Sequence, residues 1–318
     1  MKNHELPVVS VRLMTYDHGP FIKEALDGIL MQETNFNVEV VIGDDFSTDN
    51  TVNIIREYQD TEKIKIKLLQ REHGDDYSVN REKLGRLYNF YDILKNCKGK
   101  YIALLDGDDF WTDKYKLQKQ FDFLENNDKY IACFHDVKVV NEKSEVVREN
   151  KFKKISLHDY KAELLTRGRV LPVLSVMFRN VTDELPEEFI HGGLGDKFLS
   201  SFLGNFGDAK YMNNIQPSAY RVGNQGVWSQ KDLIHKKKLN LMTVYQLWRY
   251  YDRIGKKENA EILFNNLVIQ GYRLYPYLPS NSFLVKIEKL IMKINYNFFK
   301  SLKFPNRLLL KLKLWKNQ

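Results

Sequence analysis

The run Gly99-Lys100-Tyr101-Ile102-Ala103-Leu104-Leu105-Asp106-Gly107-Asp108-Asp109-Phe110-Trp111 is apolar for five residues and then abruptly acidic. Tyr101 to Leu105 reads as a short, fully buried strand. It delivers three carboxylates into four residues, and a turn can spread such charges but cannot neutralise them. A hard divalent cation with oxygen ligands offsets the repulsion, usually through one or two carboxylates and a phosphate. The competing reading is a solvated turn whose aspartates cap the helix expected over Lys114 to Leu124.

Upstream, the pattern alternates. Val8 to Met14 reads as a strand. Phe21 to Met31 reads as a helix with Ile22, Ala25, Leu26 and Ile29 on one face. A strand at Val38 to Ile42 ends in a second acidic turn, Gly43-Asp44-Asp45-Phe46-Ser47. Asp49 is placed to cap a helix over Thr51 to Tyr58. A strand at Ile64 to Leu69 and a helix over Lys83 to Asn96 follow. Strands alternating with helices predict a parallel α/β sheet with right-handed crossovers, and ligands of such sheets sit beyond the carboxyl ends of the strands. Both acidic turns are therefore expected at one crevice.

Composition narrows the class. The chain has 318 residues, 43% hydrophobic and 28% charged, which excludes disordered and collagen-like chains and suits one large domain with an appendage. Its formal charge of +8 is unevenly spread. Residues 233–318 hold 17 bases against 4 acids, leaving 32 bases and 37 acids in residues 1–232. An acidic body with a basic C-terminal third does not look like a nucleic-acid binder. Two cysteines, Cys97 and Cys133, do not make a disulfide framework, so a reducing compartment is expected. Residues 1–11 lack the apolar region of a secretory signal, and no apolar stretch approaches the roughly 20 residues of a membrane span.

Val8 to Gln32, Glu39 to Thr51 and Gly99 to Trp111, in this order and spacing, resemble family 2 glycosyltransferases of the GT-A fold. The resemblance implies a Rossmann-like GT-A catalytic domain with a mostly parallel central sheet over residues 1–232, and a helical, basic extension over 233–318. It implies an inverting enzyme that takes a nucleotide-diphosphate sugar, UDP-sugar favoured, with Mg²⁺ or Mn²⁺, and glycosylates a saccharide or lipid-linked acceptor in surface polysaccharide synthesis. Carried over by residue, Tyr16 stacks on the donor base beside Thr15. Asp44 accepts from the base N–H, and Asp45 orients the loop. Lys83 and Arg86 reach a phosphate or the base. Asp106 binds the ribose or the metal, Gly107 belongs to the donor site, Asp108 binds the metal, and Asp109 supports or caps. Trp111 and Trp228 line a pocket. The family usually has a small residue where Phe46 stands, and many members have a metal-binding His where Gly223 stands.

The metal of such enzymes stabilises negative charge on the leaving diphosphate, and the acceptor hydroxyl needs one positioned base. In this family the base opens a helix in the second half of the domain. Phe189-Ile190-His191-Gly192-Gly193-Leu194-Gly195-Asp196-Lys197 has that look, with Asp196 in the first turn, where the helix N-terminus favours an ionised carboxylate. His191 is a rival base or an acceptor contact. A catalytically lapsed nucleotide-sugar-binding scaffold subunit is the alternative, and Gly223 is the departure that favours it.

In the basic third, Leu239, Met242, Leu247, Ile262, Leu263 and Leu267 read as core packing against one flank of the catalytic domain. Leu284, Ile287, Ile291, Ile294, Phe298 and Leu302 form an apolar stripe among Lys286, Lys289, Lys293 and Lys300. Such a helix suits an anionic membrane surface, or else packs on the enzyme or a second subunit. The expected location is cytoplasmic, peripheral at the inner face of the cell membrane through residues 283–318. Full-length protein is expected to float with anionic liposomes, and a chain cut after Asn281 to stay at the bottom of the gradient. Equal flotation of the two would remove the membrane contact.

Overall fold

A computed structural model describes residues 7–223 and 232–274. The first half alternates as the apolar periods require: β1 (Val9–Thr15), α1 (Ile22–Leu30), β2 (Val38–Asp44), α2 (Thr51–Glu57), β3 (Ile64–Leu68), α3 (Asp76–Leu84), α4 (Leu87–Asn96) and β4 (Tyr101–Asp106). Then come α5 (Lys116–Glu125), β5 (Tyr130–Phe134), β6 (Val137–Val140), β7 (Val146–Arg148), α6 (Ala162–Thr166), β8 (Met177–Arg179), α7 (Gly195–Leu203), β9 (Asp208–Tyr211), β10 (Ser218–Arg221), α8 (Leu233–Arg253) and α9 (Lys257–Leu274).

Among the described residues the main sheet runs β3-β2-β1-β4-β8-β5-β9. β3, β2, β1 and β4 are mutually parallel, and β8 is antiparallel to both β4 and β5. Two reversals restore the direction, so β4 and β5 end at the same edge. Register fixes the crevice: Thr15 lies opposite Asp44, and Met14 opposite Asp106. Both acidic turns thus leave the sheet beside the end of β1. A small second sheet, β10-β6-β7, joins the acidic turn through a bridge between Phe110 and Ala219.

One face of the main sheet is covered by α1 and α5, which bury Ile22, Leu26, Ile29 and Leu117. The other is covered by α4, α7 and α8, which bury Phe90, Ile93, Phe198, Phe202, Leu247 and Tyr251. The four apolar positions expected to share a face of α1 are all fully buried. The helix expected over Lys83 to Asn96 is instead two. Asp75 caps α3 through the Ser78 amide at 2.7 Å, and Gly85, at φ +83°, ends it. Only glycine adopts that conformation without strain.

The chain divides into one compact unit through Leu267 and a second over Val268–Gln318, of which Val268–Leu274, the end of α9, is described. The charge break at Leu233 therefore lies inside the first unit. Charge is a surface property, whereas α8 inserts Val244, Leu247, Tyr250 and Tyr251 into the core. Met242, expected inside, is 48% exposed. Trp228 and the stripe within 283–318 lie outside the described residues. Among the described residues no helix is long and apolar enough to cross a membrane.

Leu247→Ala is expected to destabilise the protein by about 2–5 kcal/mol, and Met242→Ala by no more than about 0.5 kcal/mol, in urea denaturation. Equal effects would mean that α8 does not seal the core.

Candidate functional site

The acidic turn 106–109 is held from three directions. From β1, the fully buried Arg12 donates through Nη1 to Asp106 Oδ1 at 2.5 Å and to the Leu105 carbonyl at 3.1 Å, with its guanidinium 4.0 Å from the centre of the Phe90 ring. Removing one partner of such a pair leaves an uncompensated buried charge. From β10, Arg221 donates its backbone N–H to Asp109 Oδ1 and its Nε–H to the Asp108 carbonyl, both at 2.9 Å. Its other nitrogens reach Glu24, Asn141 and Ser144. From the loop after β1, His18 Nε2 lies 3.9 Å from Asp108 Oδ2.

Burial, then the neighbouring carboxylates, push the pKa of Asp109 well above the ordinary carboxylate range; burial does the same more mildly for Asp108. Gly107 allows the turn to close. Its amide bonds Met14 O at 2.8 Å, and a Cβ there would stand 2.9 Å from His18 Nδ1 and 3.0 Å from Thr15 Oγ1. Those two atoms are buried without a hydrogen-bond partner.

The second turn gives its two aspartates different partners. Asp44 is bound within its own loop, accepting from the Ser47 amide at 2.8 Å and from the Ser47 hydroxyl, so it is the residue that orients the loop. Burial raises its pKa. Asp45 instead accepts from Tyr77 and, bidentately, from Arg81. Arg86, between α3 and α4, lies within electrostatic reach of Asp45 and Tyr16, and Tyr16 is 38% exposed. Lys83 is exposed in the last turn of α3, and Arg81, two residues earlier, is the α3 cation paired with Asp45. Phe46 has φ +63°, a conformation that suits glycine, and its ring stacks on His73 at 4.3 Å.

Asp196 opens α7 as expected, and burial, with Asp106 adding to it, raises its pKa. That outweighs the expectation that the helix terminus alone would set its charge. The loop that presents it is gripped by α8. Thr243 Oγ1 accepts from the Gly193 and Leu194 amides at 3.1 and 2.8 Å, and Lys197 donates to Asn240 at 2.8 Å. A Cβ on Gly193 would collide with the backbone of Leu239.

Lys151 went unread in the sequence. Its amide bonds the Val137 carbonyl at 2.6 Å and its ammonium lies over the Tyr220 ring. There it feels Asp109, Asp196 and Asp106, while burial lowers its pKa to about 8. The same burial and the same carboxylates raise the Tyr220 hydroxyl to about 12. No periodicity marks Lys151, since it sits in an irregular stretch.

Of the expected pocket residues, Trp111 is not at this crevice. Trp111 is 1% exposed, with Nε1 donating to the Leu174 carbonyl at 2.8 Å, because its large ring fills the core beneath the turn. His191 lies 4.0 Å from the exposed Glu187, its ionic neighbour. Gly223 is packed against Glu142, and a side chain there would require Glu142 to move. Among the described residues no three His, Cys, Asp or Glu side chains are grouped to hold an ion by themselves.

The chain belongs to glycosyl transferase family 2, whose model matches residues 10–185. It is 34% identical over 181 residues to an uncharacterized protein of Mycobacterium tuberculosis, covering 56% of this chain and 49% of that one. It is 32% identical over 127 residues to the Escherichia coli UDP-Glc:alpha-D-GlcNAc-diphosphoundecaprenol beta-1,3-glucosyltransferase WfaP, covering 40% and 45%. The chain spans about half the length of the curated relatives it matches. The structure resembles the mannosyltransferase PcManGT of Pyrobaculum calidifontis, solved with GDP-Man and Mn²⁺, with a TM-score of 0.52 at 16% identity, covering 94% of this chain and 84% of that one. The fold is thus that of the GT-A glycosyltransferases.

Thr243→Val removes the acceptor for two buried amides at constant shape, a loss of about 1–3 kcal/mol. Hydrogen exchange at Gly193 and Leu194 is expected to accelerate. Unchanged exchange at both would show that α8 does not hold this loop.

Proposed function

We propose that the chain is an inverting glycosyltransferase that moves a sugar from a nucleoside-diphosphate donor, UDP-linked, to a hydroxyl of a saccharide or lipid-linked acceptor in surface polysaccharide synthesis. The observation that carries this reading is that Asp196 lies within electrostatic reach of Asp106, and that Lys151 feels Asp196, Asp106 and Asp109 together. The name of the Escherichia coli relative supports UDP and a lipid-linked acceptor.

On this reading the exposed ring of Tyr16 takes the base, with Arg86 and the Asp45–Arg81 pair beside it. Asp108, assisted by Asp106, suits Mg²⁺ or Mn²⁺ in the manner of one or two carboxylates completed by substrate phosphates. The partnerless Thr15 Oγ1 and His18 Nδ1 beside Gly107 fit a polar group entering there. When bound, the ion stabilises charge on the leaving diphosphate. Asp196 removes the proton of the acceptor hydroxyl as that oxygen attacks the anomeric carbon. The bond to the diphosphate breaks with its electron pair on the phosphate oxygen. Lys151, within electrostatic reach of Asp196, favours its ionised form against the charge of Asp106. Residues 283–318 bring the enzyme to the cytoplasmic face of the membrane.

Gly223, where many members have a metal-binding His, favours a second reading: a lapsed subunit that binds nucleotide sugar without turnover.

Asp196→Asn is expected to lower kcat by about 10²–10⁴ while leaving the melting temperature and UDP binding unchanged. Asp108→Ala is expected to abolish the metal-dependent stabilisation by UDP, about 2.7 kcal/mol at 100 times Kd. Because burial raises the Asp196 pKa, the base form is lost as pH falls, and the acid limb of kcat/KM should lie above that of an ordinary carboxylate near 4. Full turnover in Asp196→Asn would remove the assigned base. UDP binding without turnover of any sugar nucleotide would leave the scaffold reading.

A further inference from the structure

Beyond the end of β5 lies a cavity of about 310 Å³, lined by Phe134, Phe152, Leu157, Tyr160, Arg169 and Pro172 among others. This is the lower end of small-molecule sites, with the usual apolar walls and few polar groups. β5 runs in the same direction as β4 with β8 between them, so Phe134, the last residue of β5, leaves the sheet at the same edge as Asp106. Two strand spacings put the cavity about 10 Å along that edge from the acidic turn. Chain continuity links the two places. Phe152 follows Lys151, which feels Asp109 and Asp196. On the cavity wall, a Cβ on Gly168 would stand 3.2 Å from Cε of Lys197, the neighbour of Asp196.

The walls have a definite chemistry. Tyr160 is 3% exposed and stacks on Phe134 with ring centres 5.3 Å apart. Arg169 Nη2 donates to the Tyr160 hydroxyl at 2.5 Å, and its guanidinium lies 4.6 Å from the centre of that ring. The residue is exposed, and a guanidinium has five N–H groups, so it offers further donors at the mouth. Residues 148–169 hold seven bases and three acids. Lys161 and Arg167 are tied to Asp208 and Glu163, while Arg148, Lys153 and Lys154 are exposed. An aromatic hollow with a guanidinium at its wall, next to an acidic reaction centre, selects a ring with an apolar face and a negative substituent.

We propose that this cavity is an acceptor subsite for a saccharide unit that carries an anionic group, the sugar ring resting against the half-buried Phe152 and the anion on Arg169, which Tyr160 holds in place. The assignment rests on the glycosyltransferase reading of the neighbouring crevice. Glucuronic acid is the anionic probe, glucose the neutral control, and saturation-transfer NMR on the full chain the measurement, with and without saturating UDP and Mn²⁺. Glucuronic acid is expected to receive saturation, more strongly than glucose, and to keep it when UDP is added. Arg169→Gln should weaken its binding about tenfold, the loss of a charge-assisted hydrogen bond, and Phe152→Ala should weaken both sugars, with UDP binding unchanged in each variant. Displacement of glucuronic acid by UDP, equal response to glucose, or indifference to Arg169→Gln would overturn the subsite. Failure of UDP itself to bind would instead remove the reading on which the assignment rests.

Discussion

Carboxylates crowded into a desolvated turn have to be compensated, and this requirement organises the crevice. Arg12, Arg221 and Lys151 answer the aspartates of residues 106–109, and they come from β1, β10 and an irregular stretch. Arg12 is the deepest of them. A guanidinium without access to water is tolerable only if it is paired, so β1 and β4 are locked in register by charge as well as by their ladder. Arg221 ties the small sheet to the turn through backbone and side chain together, which is why β10 has to return to the acidic edge after more than a hundred intervening residues.

The basic helix α8 takes on a role that its charge does not suggest. Its inner face seals the core. Through Thr243, Asn240 and the close approach at Gly193 it also sets where the loop before α7 can lie. The position of Asp196 thus depends on a helix more than forty residues further along the chain. Arg253 adds a bidentate pair to Glu188 at 2.7 and 2.8 Å, fixing the other end of α8 to the turn that leads into that loop. Rigid support of this kind is what a base requires to meet its proton at hydrogen-bonding distance.

Much of the fold was legible from residue order. Apolar runs of five to seven residues could only be covered strands, and α1 showed its buried face at the helical period. Both acidic turns follow strands, so parallel topology alone sends them to one edge. Side-chain partnership was harder to read. Asp44 and Asp45 are adjacent and chemically identical, yet one closes on Ser47 and the other on Arg81. Trp111 follows the acidic turn directly, yet its indole points inward to Leu174.

Sequence by itself determined the alternation of strands and helices through β4, apart from the division of α3 from α4, and the carboxylates at the ends of β2 and β4, because these follow from local periodicity and chain direction. Tertiary structure alone decided which cation meets which carboxylate, that Arg81 and not Lys83 reaches Asp45, that Lys151 enters the acidic crevice, and that α8 belongs to the body. Those outcomes depend on contacts between residues far apart in the chain. There desolvation and geometry, and not composition, select the partner.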